Sequence, residues 1–270
     1  MSTLQSYTSG TRPSASGNTG LCIFRSDTNA IEVSDGTNYL TYNSDGVGVT
    51  YPSNSYSVEL DGTNDYIDTG DKFDFIQKTC NFSITFWVKL IDHTSTAANQ
   101  FLVMSTYGGG NIGLMFWYDN RFGDKKFRFL LSGIGNYVEV NNGITDNNWH
   151  HIALTCANGG DQKVYRDGSL IASGSAPSPT TSTATHNLLL GAAINTSTSN
   201  ISAPMNGYLD EVAIFNRELT SSEIDKIRSS PYSYVGATSI YRFENNANDS
   251  VGTNNGTNFN ATFETSEKPY

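Results

Sequence analysis

Residues 82–90 read FSITFWVKL, and their alternation decides the fold class. Phe82, Ile84, Phe86, Val88 and Leu90 fall on one face, and Ser83, Thr85, Trp87 and Lys89 on the other. That is the period of two expected of a strand with one face in a core. Similar short runs follow: FLVMSTY, IGLMFWY, KFRFLLS, YVEV, WHHIALTC, QKVYRDGSLIASG and NLLLG. Between them lie YGGGN, SGIGN, NNGITDNN and ANGGD, all turn chemistry. Asp167-Gly168 sits between two strands as a hairpin signal. Many short antiparallel strands with almost no helix predict an all-β protein, a two-sheet antiparallel sandwich or jelly roll.

The composition agrees with this. Fifteen Tyr, fourteen Phe and three Trp favour strands, and 270 residues can bury one sizeable core with segments to spare. The formal charge is 16 − 26 = −10, with no Lys/Arg run. Such a surface repels nucleic acid and anionic membranes, and no apolar run is long enough for membrane insertion. The N-terminal residues MSTLQSYTSGTRPSASG lack a basic start and an apolar stretch, so no signal peptide is expected. Cys22, Cys80 and Cys156 are odd in number and fit neither a metal spacing nor a disulfide framework. They read as small buried apolar residues of a protein made in a reducing cytoplasm.

One short helix is expected in NRELTSSEIDKIR. Thr220 can cap it with Glu223 three residues on, Leu219, Ile224 and Ile227 give an apolar stripe, and Pro231 marks its end. Residues 1–50 differ in character. They read as an extended arm carrying a small β-hairpin around Asp27-Thr28-Asn29, with a further turn at Asp35-Gly36. A hairpin of this size is marginal alone and needs a partner. The division expected is an arm at 1–50, the jelly roll at 51–232 and C-terminal strands at 233–270.

Four landmarks in order, VELDGTNDYIDTG (58–70), NFSITFWVKL (81–90), NWHHIALT (148–155) and GYLDEVAIFNRELTSSEI (207–224), resemble the laminin-G-like, or concanavalin A-like lectin, jelly-roll modules. Family members often open with a segment like YRFENNANDSVGTNNGT, which here stands at 241–257, after the module. It is read as a displaced first strand. It can pack back on its own sandwich, pair with a neighbouring subunit, or be the remnant of a second repeat. The first is preferred, because sheets need filled edges.

The resemblance implies a structural or ligand-bridging calcium ion, with Asp61, Asn64, Asp65 and Asp210 as its oxygen ligands. The alternative is that Asp61 and Asp65 build the turn while Asp210 accepts backbone hydrogen bonds. It also implies carbohydrate binding, for which Tyr107, Asn111, Trp117 and Tyr118 around YGGGN are the candidates. Trp117 and Tyr118 are neighbours on one strand, so at least one belongs to the core. Related glycoside hydrolases set carboxylates as Glu-x-Asp-x-x-Glu, which is missing here. YVEV offers a lone Glu139, LDEV offers neighbours facing opposite ways, and His150-His151 reads as packing. No enzyme is expected.

The segment GTRPSASGNTGLCIFRSDTNAIEVSDGTNYLTY (10–42) resembles short segments of bacteriophage tail-fibre and other virion proteins. The function expected is therefore a virion structural protein: a phage fibre, knob or decoration subunit on the virion surface. Its arm would join other virion proteins or sister subunits, as a trimer or dimer, and its jelly roll would bind host-surface glycans. The alternative is a decoration or assembly protein whose jelly roll has no glycan ligand.

Overall fold

The computed structural model describes residues 54–91, 100–106, 113–131, 137–141, 143–184, 186–194, 200–229 and 234–269, and before them Pro13 and five short strands. The chain divides into two compact units, 1–53 and 54–270. In the first, Cys22–Arg25, Ala30–Ser34 and Tyr39–Tyr42 form an antiparallel meander. Gln5–Tyr7 adds to it in parallel and Gly48–Val49 in antiparallel, so the expected hairpin is part of a five-stranded sheet.

The second unit is a sandwich of two antiparallel sheets. One has the order Tyr137–Val140, Lys126–Leu131, Leu114–Asp119, Gln100–Ser105, Leu189–Leu190, Tyr66–Asp68, Thr257–Phe259. The other runs Ser169–Ser175, Asp161–Arg166, His150–Cys156, Phe82–Leu90, Asn206–Phe215, Ser57–Asp61, Thr262–Glu264, with Ser239–Tyr241 also paired to Asn206–Phe215. The inward residues of Phe82–Leu90 meet the facing sheet edge-on: Phe86 against Phe116 at 5.9 Å between centroids, and Phe82 against Phe129 at 6.3 Å. All four rings are fully buried, and truncating any one to alanine costs about 3–5 kcal/mol. Asp167 and Gly168 both take positive φ, 52° and 83°, the two-residue turn that matches strand twist.

The outward face of Phe82–Leu90 is buried too at Ser83 and Thr85, because a third layer covers that sheet. The helix Ser221–Ser229 lays Ile224 and Ile227 on Ala153, Ala213 and Phe215. Thr220 and Glu223 cap it reciprocally: the Thr220 N–H donates to Glu223 Oε2 at 2.8 Å, and the Glu223 N–H to Thr220 Oγ1 at 3.3 Å. A second, five-residue helix, Phe75–Thr79, adds to the expected one and ends on Cys80 in the left-handed region.

The C-terminal residues complete this unit. Ser239–Tyr241 pairs with Val212–Ile214, and Tyr241 is fully buried. Asp249 organises the loop that follows. Its Oδ1 accepts the N–H groups of Ile240, Val251 and Gly252, and its Oδ2 that of Asn254, at 3.0–3.3 Å. Thr257–Phe259 then extends one sheet and Thr262–Glu264 the other, closing the same side of both layers.

Candidate functional site

The helix layer covers the outer side of one sheet, so attention falls on the outer side of the other. Across Leu114–Asp119, Lys126–Leu131 and Tyr137–Val140 the register sets Trp117, Arg128 and Glu139 in one row and Met115, Leu130 and Tyr137 in the next. Side chains alternate, so Phe116, Tyr118, Phe127, Phe129, Val138 and Val140 enter the core while these six face outward.

Two kinds of group meet on this face. Tyr137 is 49% exposed and the Arg128 guanidinium lies 5.9 Å from its ring centroid. Trp117 stands 6.4 Å away, only 8% exposed under Ala193, Ala203, Met115 and Leu130. Its indole Nε1 is buried without a partner.

Beside the rings runs an ion-pair lattice. Arg128 Nε donates to Glu139 Oε2 at 2.9 Å, and its Nη1 bonds Asp119 Oδ2. Arg121 grips both oxygens of Asp119 at 3.0 and 2.8 Å, and Lys126 bridges Glu139 and Asp124 at 2.8 and 2.9 Å. Burial alone would raise the Asp119 pKa, but Arg121 and Arg128 hold it down at about 2. Lys126, and then Arg128, lowers that of Glu139. Asp119, Glu139, Arg121, Arg128 and Lys126 are each fixed by more than one bond, so a half-open ring sits beside immobilised donors and acceptors. Such a surface can stack a sugar ring and hydrogen-bond its hydroxyls; it offers no pair of carboxylates free of cations for acid–base work.

Of the expected carbohydrate contacts, Tyr118 must be withdrawn. It is fully buried and packs edge-on against Phe127 at 5.5 Å, on the core side of its strand. Trp117 faces outward, as alternation requires. Tyr107 and Asn111 lie outside the described residues.

The calcium set does not converge. Asp61, Asn64 and Asp65 share one turn, where the Asp61 N–H donates to Asp65 Oδ2 at 3.0 Å and the Thr63 N–H to Asp61 Oδ1 at 2.7 Å. Asp61 pairs with Asn206, so Asp210 lies four positions further along the ladder, about 14 Å at the usual strand rise. There Asp210 accepts from Asn54 Nδ2 at 2.9 Å and from the Glu211 N–H at 2.8 Å. Burial and then the neighbouring Glu211 push its carboxyl well above the usual range, which suits a protonated acid rather than a metal ligand. No cluster of three metal-binding side chains occurs among the described residues. The residues present do not fit the ion as a set.

Tyr137, Arg128 and Asp119 were not singled out from sequence. The signal was there in YVEV, whose alternation sends Tyr137 and Glu139 to one face.

A jelly roll with aromatic and polar groups fixed on the outer side of one sheet is the architecture of a lectin-like module. The chain belongs to the concanavalin A-like lectin/glucanases superfamily, whose laminin G 3 family model matches residues 61–225. Solved structures share the fold at low identity. A candidate carbohydrate-binding protein from Bacteroides ovatus is 16% identical with a TM-score of 0.59, covering 87% of this chain and 72% of that one. The CBM40 of the Ruminococcus gnavus IT-sialidase, bound to α2,3-sialyllactose, is 15% identical with a TM-score of 0.50, covering 64% and 96%. The heptameric SAP-like pentraxin of Limulus polyphemus is 10% identical with a TM-score of 0.50, covering 66% and 84%. No curated protein matches the sequence.

Proposed function

We propose that the sandwich is a non-hydrolytic glycan-binding module that works through the outer face around Tyr137, and that the chain is a virion structural subunit displaying it. The observation that carries the glycan reading is the half-open Tyr137 ring stacked over Arg128 beside an ion-pair lattice. Rigid aromatic area with pre-placed polar groups loses little entropy on binding a flexible, hydroxyl-rich ligand. The B. ovatus and R. gnavus structures, described as a carbohydrate binder and a sialyllactose-bound module, support a sugar as the ligand class. The virion reading rests on residues 10–42 and their likeness to virion segments. On that reading, residues 1–50 attach the protein to a particle, and the jelly roll faces outward to host glycans.

The test is a glycan array on the purified chain, with calcium and again with a chelator. Binding in both conditions, weakened about tenfold or more by Tyr137→Ala at an unchanged melting temperature, is expected. Binding that needs calcium moves the site away from this face. Silence from a folded sample leaves the decoration or assembly role. For the arm, a chain lacking residues 1–50 is expected to fold but fail to join particles, and incorporation at the full-length level would sink that assignment.

A further inference from the structure

Cys80 and Cys156 lie at the same end of the fold's central strand pair. Cys156 ends the strand His150–Cys156 and pairs in register with Phe82, two residues beyond Cys80. Cys80 caps the helix Phe75–Thr79 with φ 48°, a left-handed turn that directs the chain back toward that strand end. Both are fully buried in the same core cluster, and both are free thiols hydrogen-bonded to each other. Cys80 Sγ also reaches Gln77 O at 3.7 Å. Burial as small apolar residues explains each cysteine singly; it does not explain why the two meet.

The geometry points to Cys80 and Cys156 as a latent disulfide, closed by a low-molecular-weight disulfide such as oxidised glutathione once the protein leaves a reducing medium. Two thiols already in contact across a strand pair need side-chain rotation rather than a new chain path.

The pair is asymmetric. Hydrogen bonding from Cys156 lowers the Cys80 pKa, while Cys80, with burial, pushes that of Cys156 up. Cys80 is also the nearer to solvent along the chain, since Lys78, Thr79 and Asn81 around it are exposed. Opening that one turn lets its thiolate attack the glutathione disulfide, forming a mixed disulfide and releasing one glutathione thiolate. Cys156 then loses its proton, and its thiolate attacks Cys80 Sγ and expels the second glutathione. Two protein thiols are oxidised to one disulfide and one glutathione disulfide is reduced to two glutathiones, so atoms and electrons balance. The bond would close a loop of about 76 residues, long enough for a marked effect on the unfolded chain.

The experiment uses the full chain and its Cys22→Ser variant, incubated folded with oxidised glutathione, quenched by alkylation and digested. Expected is the loss of two hydrogens in the intact mass of both proteins, a cross-linked peptide joining Cys80 to Cys156, and a melting temperature several degrees higher that returns on adding a reductant. Thiols that stay alkylatable overturn the inference, as does stable glutathione attachment without an internal bond, or a link through Cys22. A Cys156→Ser variant offers a second readout: it should stop at the mixed disulfide on Cys80, and resistance of Cys80 to glutathione there also overturns the route.

Discussion

Replacing Asp249 by alanine tests whether the C-terminal segment holds the sandwich together. One carboxylate accepts four backbone N–H groups, from Ile240, Val251, Gly252 and Asn254. Burial raises its pKa, but those bonds outweigh burial and lower it, so the carboxylate is ionised and its bonds are charge-assisted. Alanine leaves the Ile240 N–H buried without this acceptor, inside the strand paired with Ala213. The groups at Val251 and Gly252 can turn to water. One orphaned buried donor costs about 1–3 kcal/mol and the remaining bonds about 0.5–1 each, so a loss of about 3 kcal/mol is expected. For a unit of this size that lowers the melting temperature by roughly 6–12 °C. Urea unfolding of wild type and Asp249→Ala measures it through the shift of the midpoint at constant slope. A change below about 0.5 kcal/mol would refute the reasoning, because the segment would then be an appendage. Asp249→Asn separates charge from shape, since it keeps Oδ1 for three donors, and should cost less than half as much.

Three further outcomes follow from the buried polar groups and the helix cap. Burial lifts Glu211 to about 7 despite Arg242 at 2.9 Å; a raised carboxyl pKa stabilises the fold below the unfolded value and loses that contribution as pH rises through about 7. The melting-temperature difference between Glu211→Gln and wild type should therefore move in favour of the variant from pH 5 to 8, and a constant difference would sink the assignment. His151 works the other way: burial depresses it to about 3, so its contribution is intact above about 6.5 and is lost toward pH 3, at up to about 1.4 kcal/mol per pH unit. A His151→Leu variant that folds should show a shallower acid limb in the same titration, and an unchanged limb would remove His151 from the account. Thr220→Ala breaks the reciprocal cap and should cost about 1 kcal/mol by urea unfolding, whereas no change would mean that packing alone holds the helix.

What could be read from sequence was whatever depends on near neighbours. The alternation in 82–90, the Asp167-Gly168 turn and the Thr220–Glu223 cap are each set within a few residues, and each stands as expected. The bulge between Asp210 and Ala213 was invisible. It buries both Asp210 and Glu211, and the charge that makes this tolerable comes from Arg242, thirty-one residues later. The candidate site was hidden for the same reason. Glu139 looked solitary because Arg128 and Lys126 reach it from the next strand, and Tyr137 gains meaning only when the register sets it over Arg128. The calcium set failed because ladder distance, not motif order, separates Asp61 from Asp210.

The pairing of Ser57–Asp61 with Thr262–Glu264 has a mechanical consequence. The two strands are antiparallel, with Glu264 opposite Ser57, and Ser57 Oγ donates to Glu267 O at 2.5 Å. Tension between the chain before Asn54 and the chain after Glu267 would peel this pair open one hydrogen bond at a time from the same end. Tension between Asn54 and a ligand held at Tyr137 takes a different course, through the body of the sandwich, and loads many bonds at once. On the proposed function, the unit would therefore resist a pull on a ligand at Tyr137 far better than a pull between its own two ends.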